Sequence, residues 1–326
     1  MSPAVKALLM TWLSLFAVAC SRGEAPSSRG SSVGSARPIA SSRASSSPSP
    51  SIRPVDPARP LRVGVTLHPY YAWTASVVAE TSGVEIRPIL PGDVDAGSYQ
   101  PRPEDIQKIR DLDAIVINGV GHDDFITAMI AASGNPSIVI IKPNEGTPLL
   151  PSARGGAVNA HTFLSFTNAI QQTYVIERAL SALRPDLAPR FARAASGYTA
   201  RLRSIRADAV RRLADARIKR VVTVHDGYGY LCQELGISIA GVVEPAHGLV
   251  PSAAELADMV DLLRREKIRV VLSEEAFPDK LLGVLRDSAG VRVQVIGHIA
   301  SGPYTADKFE REMTRNVDAL VKALAR

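Results

Sequence analysis

The chain has 326 residues, of which 46% are hydrophobic, and a formal net charge of +6. That is enough length and apolar content for one large or two medium domains with cores of their own. Much of the positive excess sits in one low-complexity stretch, where Arg22, Arg29, Arg37, Arg43, Arg53 and Arg59 face only Glu24 and Asp56 with no aromatic residue among them. This argues against a nucleic-acid groove, which needs stacking platforms as well as charge.

In chain order, residues 1–20 read as a targeting segment. A short basic start to Lys6 precedes "ALLMTWLSLFAVA", an apolar core too short to span a bilayer comfortably. It ends at "AVACS", which resembles a bacterial lipoprotein signal with Cys20 as the lipidated residue; an ordinary cleaved signal peptide is the alternative. In both cases the protein leaves the cytoplasm. With Cys20 lipidated, Cys232 is the remaining thiol of the two cysteines, so an intramolecular disulfide and a Cys-rich zinc site are excluded. Residues 21–60 are rich in Ser, Pro, Gly and Arg and nearly devoid of large apolar residues, the composition of a disordered tether.

From Leu61 to residue 165, β runs alternate with helical spacing. "LRVGVTL", "VEIRPIL", "DAIVING" and "SIVIIKP" read as strands. "YYAWTASVVAETSG", "PEDIQKIRDL" and "DFITAMIAASG" read as helices between them. Over 166–217 the alternation stops. "FTNAIQQTYVIERALSAL" is helical, Pro185 and Pro189 interrupt it, and "RFARAASGYTARLRSIRADAVRRLADA" resumes as one long helix with a solvated arginine face. Alternation restarts over 218–326. The expected fold is α/β: two βα lobes with parallel sheets, joined by a long rigid helix, with a cleft between the lobes.

Five of the six histidines follow expected strands: His68 ends "VGVTLH", His122 follows "AIVINGVG", His225 ends "RVVTVH", His247 follows "IAGVVEPA" and His298 follows "VRVQVIG". Open α/β sheets bind ligands outside the carboxyl ends of their strands. His161, in "NAHTFLSF", lies between the fourth strand and the linking helix, so it can share that mouth. Imidazoles supplied by both lobes to one cleft point to a metal site for Zn²⁺ or another late first-row ion. His161 and His225 are the leading ligands. His122 and His247, in turn-like sequence beside Gly121 and Gly248, read better as structural.

The stretches "SYQPRPEDI", "DAIVINGVGHDDF", "NAHTFLSFTNAI", "VTVHDGYGYL", "EPAHGLVPSAAELADMVDLL", "LSEEAFPDKLL" and "VIGHIASGPYTADKFEREM", in this order, resemble the zinc/manganese solute-binding lipoproteins of bacterial ABC transporters over residues 61–326. The resemblance implies two lobes bridged by a rigid helix with the metal between them. It places a ligand at His161, where "NAHTF" matches an "xPHxW"-like segment, and another at His225, where "HDGYGY" matches "HDAFGY". Two positions depart. The first ligand of the family is a histidine in a "DPHxYEP"-like loop, and here "DAGSYQP" puts Gly97 in its place. The fourth is often an aspartate, and here His298 or Gly297 aligns. The expected set is therefore His161, His225, His298 and His68, with Glu274 as a reserve oxygen ligand.

The implied function is capture of Zn²⁺, with Mn²⁺ as the alternative metal, and delivery to an ABC permease by a monomer anchored to a membrane through lipid. No catalysis and no nucleic acid are involved. Two other readings remain open: a zinc-dependent hydrolase with Glu274 or Glu275 as general base, against which stand the missing H-E-x-x-H and G-x-S-x-G motifs, and a surface interaction protein whose metal site has decayed at Gly97.

Overall fold

The computed structural model describes residues 52–325 except 80, 154 and 245–248. The expected signal segment with Cys20, most of the tether and His247 therefore lie outside the described residues.

The first sheet is built from β1 (Leu61–Val65), β2 (Val84–Pro88), β3 (Ala114–Val116) and β4 (Val139–Ile141), all parallel, in the order β2-β1-β3-β4. Its central strand β3 buries Ala114 and Val116 on one face and Ile115 on the other, and β1 buries Leu61, Val63 and Val65 on one face with Gly64 packed under Leu112 and Ile115 on the other, as a parallel sheet covered on both faces requires. Helices α1 (His68–Val78), α2 (Pro103–Gln107) and α3 (Phe125–Ala132) fill the crossovers. α4 (Phe166–Leu183) and α5 (Ala188–Ala214) follow, and the second sheet repeats the first. There β5 (Arg220–Thr223), β6 (Ser238–Val242), β7 (Val270–Ser273) and β8 (Arg292–Val295) run parallel in the order β6-β5-β7-β8. Helices α6 (Gly229–Glu234), α7 (Ala253–Arg265), α8 (Asp279–Ala289) and α9 (Lys308–Leu324) complete it. In each sheet the chain reverses direction of travel beside its first strand, and that reversal opens a crevice at the strands' carboxyl ends.

α5 is 27 residues long, which spans about 40 Å at 1.5 Å per residue. One stripe, Phe191, Ala195, Tyr198, Leu202, Ala209 and Leu213, is buried. The arginines fall on the other faces, where Arg201 pairs with Glu310 at 2.8 Å and Arg212 with Asp318 at 2.7 Å. One apolar core runs through both lobes and the link: Val63, Val65 and Trp73 share it with Leu180, Tyr198 and Leu202 and with Val221, Leu231, Leu272 and Phe309. α9 closes it, placing the Phe309 ring 5.2 Å from that of Trp73. The two-lobed α/β architecture expected from the alternation is present.

One boundary differs in a way that matters. β1 stops at Val65, and His68 opens α1 instead of ending a strand. The cause is Pro69: in a first helical turn it has no N–H to lose and its fixed φ suits the helix.

Candidate metal centre

His161 lies in the segment that leads into α4. Asn159 Oδ1 accepts the His161 backbone N–H at 3.0 Å and stands 3.0 Å from His161 Nδ1, while Asn159 Nδ2 donates to the Asp226 carbonyl at 2.7 Å. Those two backbone contacts fix which end of the amide is oxygen. The oxygen can only accept, so His161 Nδ1 carries the proton and Nε2 the lone pair. The Tyr230 hydroxyl, from α6, donates to the Asn159 carbonyl at 2.8 Å and holds this segment against the second lobe.

His225 follows β5. Its Nδ1 stands 3.0 Å from Glu244 Oε2, at the end of β6. A carboxylate only accepts, so here too the proton is on Nδ1 and the lone pair on Nε2. The two Nε2 atoms are 3.1 Å apart. Two acceptor lone pairs at that separation repel unless a cation lies against both, either a proton or a metal.

His298 follows β8. The Tyr228 hydroxyl, in the turn that begins α6, donates to the Ile296 carbonyl at 3.1 Å and so ties the turn after His225 to the strand end before His298. One donor atom from each of His161, His225 and His298 lies within 4.8 Å of the other two. The ring centroids are 4.7 Å apart for His161–His225, 4.8 Å for His161–His298 and 4.7 Å for His225–His298. His298 Nδ1 is 3.8 Å from Asp95 Oδ2. His161 and His225 thus each have an oxygen at 3.0 Å on Nδ1, from Asn159 and Glu244. That is how metal-ligating histidines are oriented and made more basic.

The structure does not bring His68 to this cluster, and the expected fourth ligand is corrected here. Its Nε2 donates to the Gly302 carbonyl at 2.9 Å, and its ring stacks on Tyr304 with centroids 4.0 Å apart and planes 2° from parallel. Burial holds its pKa below the ordinary imidazole value, with the Gly302 hydrogen bond opposing. Once His68 begins a helix, its side chain is committed to the segment after His298. Glu274 lines a cavity of about 790 Å³ beside His298, together with Asp93, Asp95, Glu244, Glu275 and Glu312. Cys232 is buried, which pushes its thiol up to about 12, and among the described residues it is not one of those whose donor atoms converge here.

Residues 63–323 match the family described as zinc-uptake complex component A, periplasmic. The chain belongs to that family. The SBP FpvC of Pseudomonas aeruginosa, solved in complex with Ni²⁺, is 42% identical and superposes with a TM-score of 0.76, covering 82% of this chain and 97% of that one. The same protein solved with Mn²⁺ gives the same identity and TM-score. A zinc-binding lipoprotein, AdcA of Streptococcus pneumoniae, is 25% identical over 277 residues, covering 80% of this chain and 55% of AdcA. This chain therefore spans about half the length of that curated relative. A putative metal-binding protein of Treponema pallidum is 24% identical over 252 residues, covering 73% of this chain and 79% of that protein.

Two further residues of this zinc-uptake family member lie beside the cluster. His122 is buried, with its ring 4.8 Å from that of His161 and 6.3 Å from that of His298. Its turn is locked by the next residue: the Asp123 carboxylate accepts from Thr66 Oγ1 at 2.6 Å and from the N–H groups of Asn118 and Gly119 at 2.7 and 3.0 Å. Asp95, in the loop with Gly97, reaches within 3.9 Å of His122 Nε2 and accepts the Gly97 N–H at 2.7 Å. The available signal was "GVGHDDF", an imidazole followed by acids at a glycine turn after a central strand. Gly97 itself is exposed.

Proposed function

We propose that the chain captures a divalent transition metal outside the cytoplasm, zinc in the first place and Mn²⁺ less strongly, and hands it to an ABC-type permease. The carrying observation is the pair of Nε2 lone pairs held 3.1 Å apart on His161 and His225, with His298 closing the triangle. Neutral nitrogen donors favour zinc and its late first-row neighbours over Mn²⁺, Mg²⁺ or Ca²⁺. His161, His225 and His298 hold the metal, and His122 supplies the fourth nitrogen in place of the histidine missing at Gly97. The metal is cargo, held and released through metal–nitrogen coordination, with no covalent bond of a substrate made or broken. The zinc named for AdcA and the Ni²⁺ and Mn²⁺ bound to FpvC support a transition-metal cargo. Cys20, outside the described residues, carries the lipid anchor of a monomer in this reading, and Cys20→Ala should move the protein from the membrane to the soluble fraction.

Zinc titration of the purified, metal-stripped protein tests the reading. Loss of an outer-shell partner costs about 10–100-fold in affinity, so His161→Ala and His225→Ala should each cost more than about 100-fold while the circular dichroism spectrum stays unchanged. Wild-type zinc affinity in both variants overturns the assignment.

A further inference from the structure

We propose that His68 is a positioning residue that sets how fast the metal leaves, by clasping the segment that carries His298. This rests on the assignment of His298 as a metal donor and adds a release gate to it.

The residues between β8 and α9 hold His298 without helix or strand, so their conformation depends on tethers. Two tethers come from α9. Asn316 brackets Gly297, accepting its N–H at 2.6 Å and donating to its carbonyl at 2.9 Å, and Lys308 Nζ donates to the Ser301 carbonyl at 2.6 Å. The others come from the first lobe and meet at Gly302. The Gly302 N–H donates to the Gly92 carbonyl at 2.6 Å, and the Gly302 carbonyl accepts from His68 Nε2. A Cβ on Gly92 would lie 2.5 Å from the Gly302 oxygen, so the two backbones touch with no room for a side chain. Two residues on, Tyr304 lies flat against the His68 ring, and Tyr71 packs 5.3 Å from it. Between His298 and this clasp is Ile299, buried and at φ 59°, a conformation that a β-branched residue holds only when its surroundings impose it.

A metal held by several donors leaves stepwise, and a donor on backbone outside helix and strand swings away as its tethers give. His298 is such a donor, and the His68 clasp is one of the tethers that must give. A wide hinge between the lobes is not the route out, because one apolar core runs through both.

The test uses the mature protein loaded with zinc, mixed with excess chromophoric chelator, and follows the release rate. His68→Phe keeps a flat ring against Tyr304 and deletes the donor to Gly302. His68→Gln keeps a donor and deletes the ring. Tyr304→Leu removes the stacking partner and carries the test should His68→Phe fail to fold. Each should speed release about 10-fold or more, as loss of outer-shell support does. The visible bands of the Co²⁺-loaded forms should keep their wild-type positions, since the donor set is intact. A general loss of structure would move those bands, and so would loss of a ligand. Wild-type release rates in the variants that fold overturn the clasp, as does a band shift in His68→Phe like that of His298→Ala. A wild-type protein that takes up no metal sinks the functional reading instead.

Discussion

Gly227 has an ordinary backbone conformation, so its reason for being glycine is space. A Cβ there would lie 2.8 Å from His225 Cδ2 and 3.0 Å from His298 Nε2, inside the position the imidazoles occupy. Gly227→Ala should lower zinc affinity by about 10–100-fold, the cost of displacing supporting atoms, without removing any donor. Zinc titration beside an unchanged circular dichroism spectrum checks this. The Gly97 gap gives a second residue test. His122→Ala should weaken zinc binding, and Gly97→His added to it should restore affinity through the family's own first position. Wild-type affinity in His122→Ala sinks His122 as a donor. At this scale His161, His225 and His298 were legible, because residues just past parallel strands face one crevice whatever the local detail. The approach of His122 and Asp95 to that cluster was not, because it depends on a turn locked by Asp123 and on a loop in which Asp95 accepts from Gly97. His68 was misread for want of one boundary: Pro69 ends the strand pattern early and begins a helix.

Among elements, the alternation of strand and helix could be read directly, and so could the break at Pro185 between α4 and α5. Less legible was how the linking helices are fastened to the site, since that depends on one acid distant in sequence. Glu234, at the end of α6, accepts from the N–H groups of Phe166 and Thr167 at 2.8 and 3.0 Å and from Ser165 Oγ at 3.0 Å. It also pairs with Arg206 of α5 at 2.7 Å. The carboxylate thus satisfies donors that the first turn of α4 leaves open, and its charge suits that helix end. It joins three helices just past His161. Glu234→Gln keeps the shape and removes the charge. Capping contributes about 0.5–2 kcal/mol, and the half-exposed Arg206 adds little, so a stability loss of about 1–2 kcal/mol is expected. Urea unfolding reads it as a lower midpoint at unchanged slope. An unchanged midpoint would show that α4 needs no such cap.

For the molecule as a whole, the two sheets have the same strand order, yet they are not two independent bodies. Trp73 and Phe309 meet across α1 and α9, and Tyr198 and Leu202 of α5 pack into the same core as Val63 and Leu272. Separate cores would melt separately, whereas a shared core couples the lobes. Metal-free protein should therefore unfold in one calorimetric transition, with calorimetric and van't Hoff enthalpies in agreement. Zinc binds only the folded arrangement of His161, His225 and His298, because the unfolded chain does not hold those nitrogens together. At 100 times the dissociation constant it should add about 2.7 kcal/mol. For a body of this size about 1 kcal/mol moves the midpoint by about 2–4 °C, so the whole transition should rise by about 5–10 °C as one peak. His161→Ala should keep the single peak and lose the shift. Two peaks of which zinc moves only one would mean that the lobes fold apart. The site would then lie in one of them, and the bridging core would not be what carries metal binding into the stability of the whole chain.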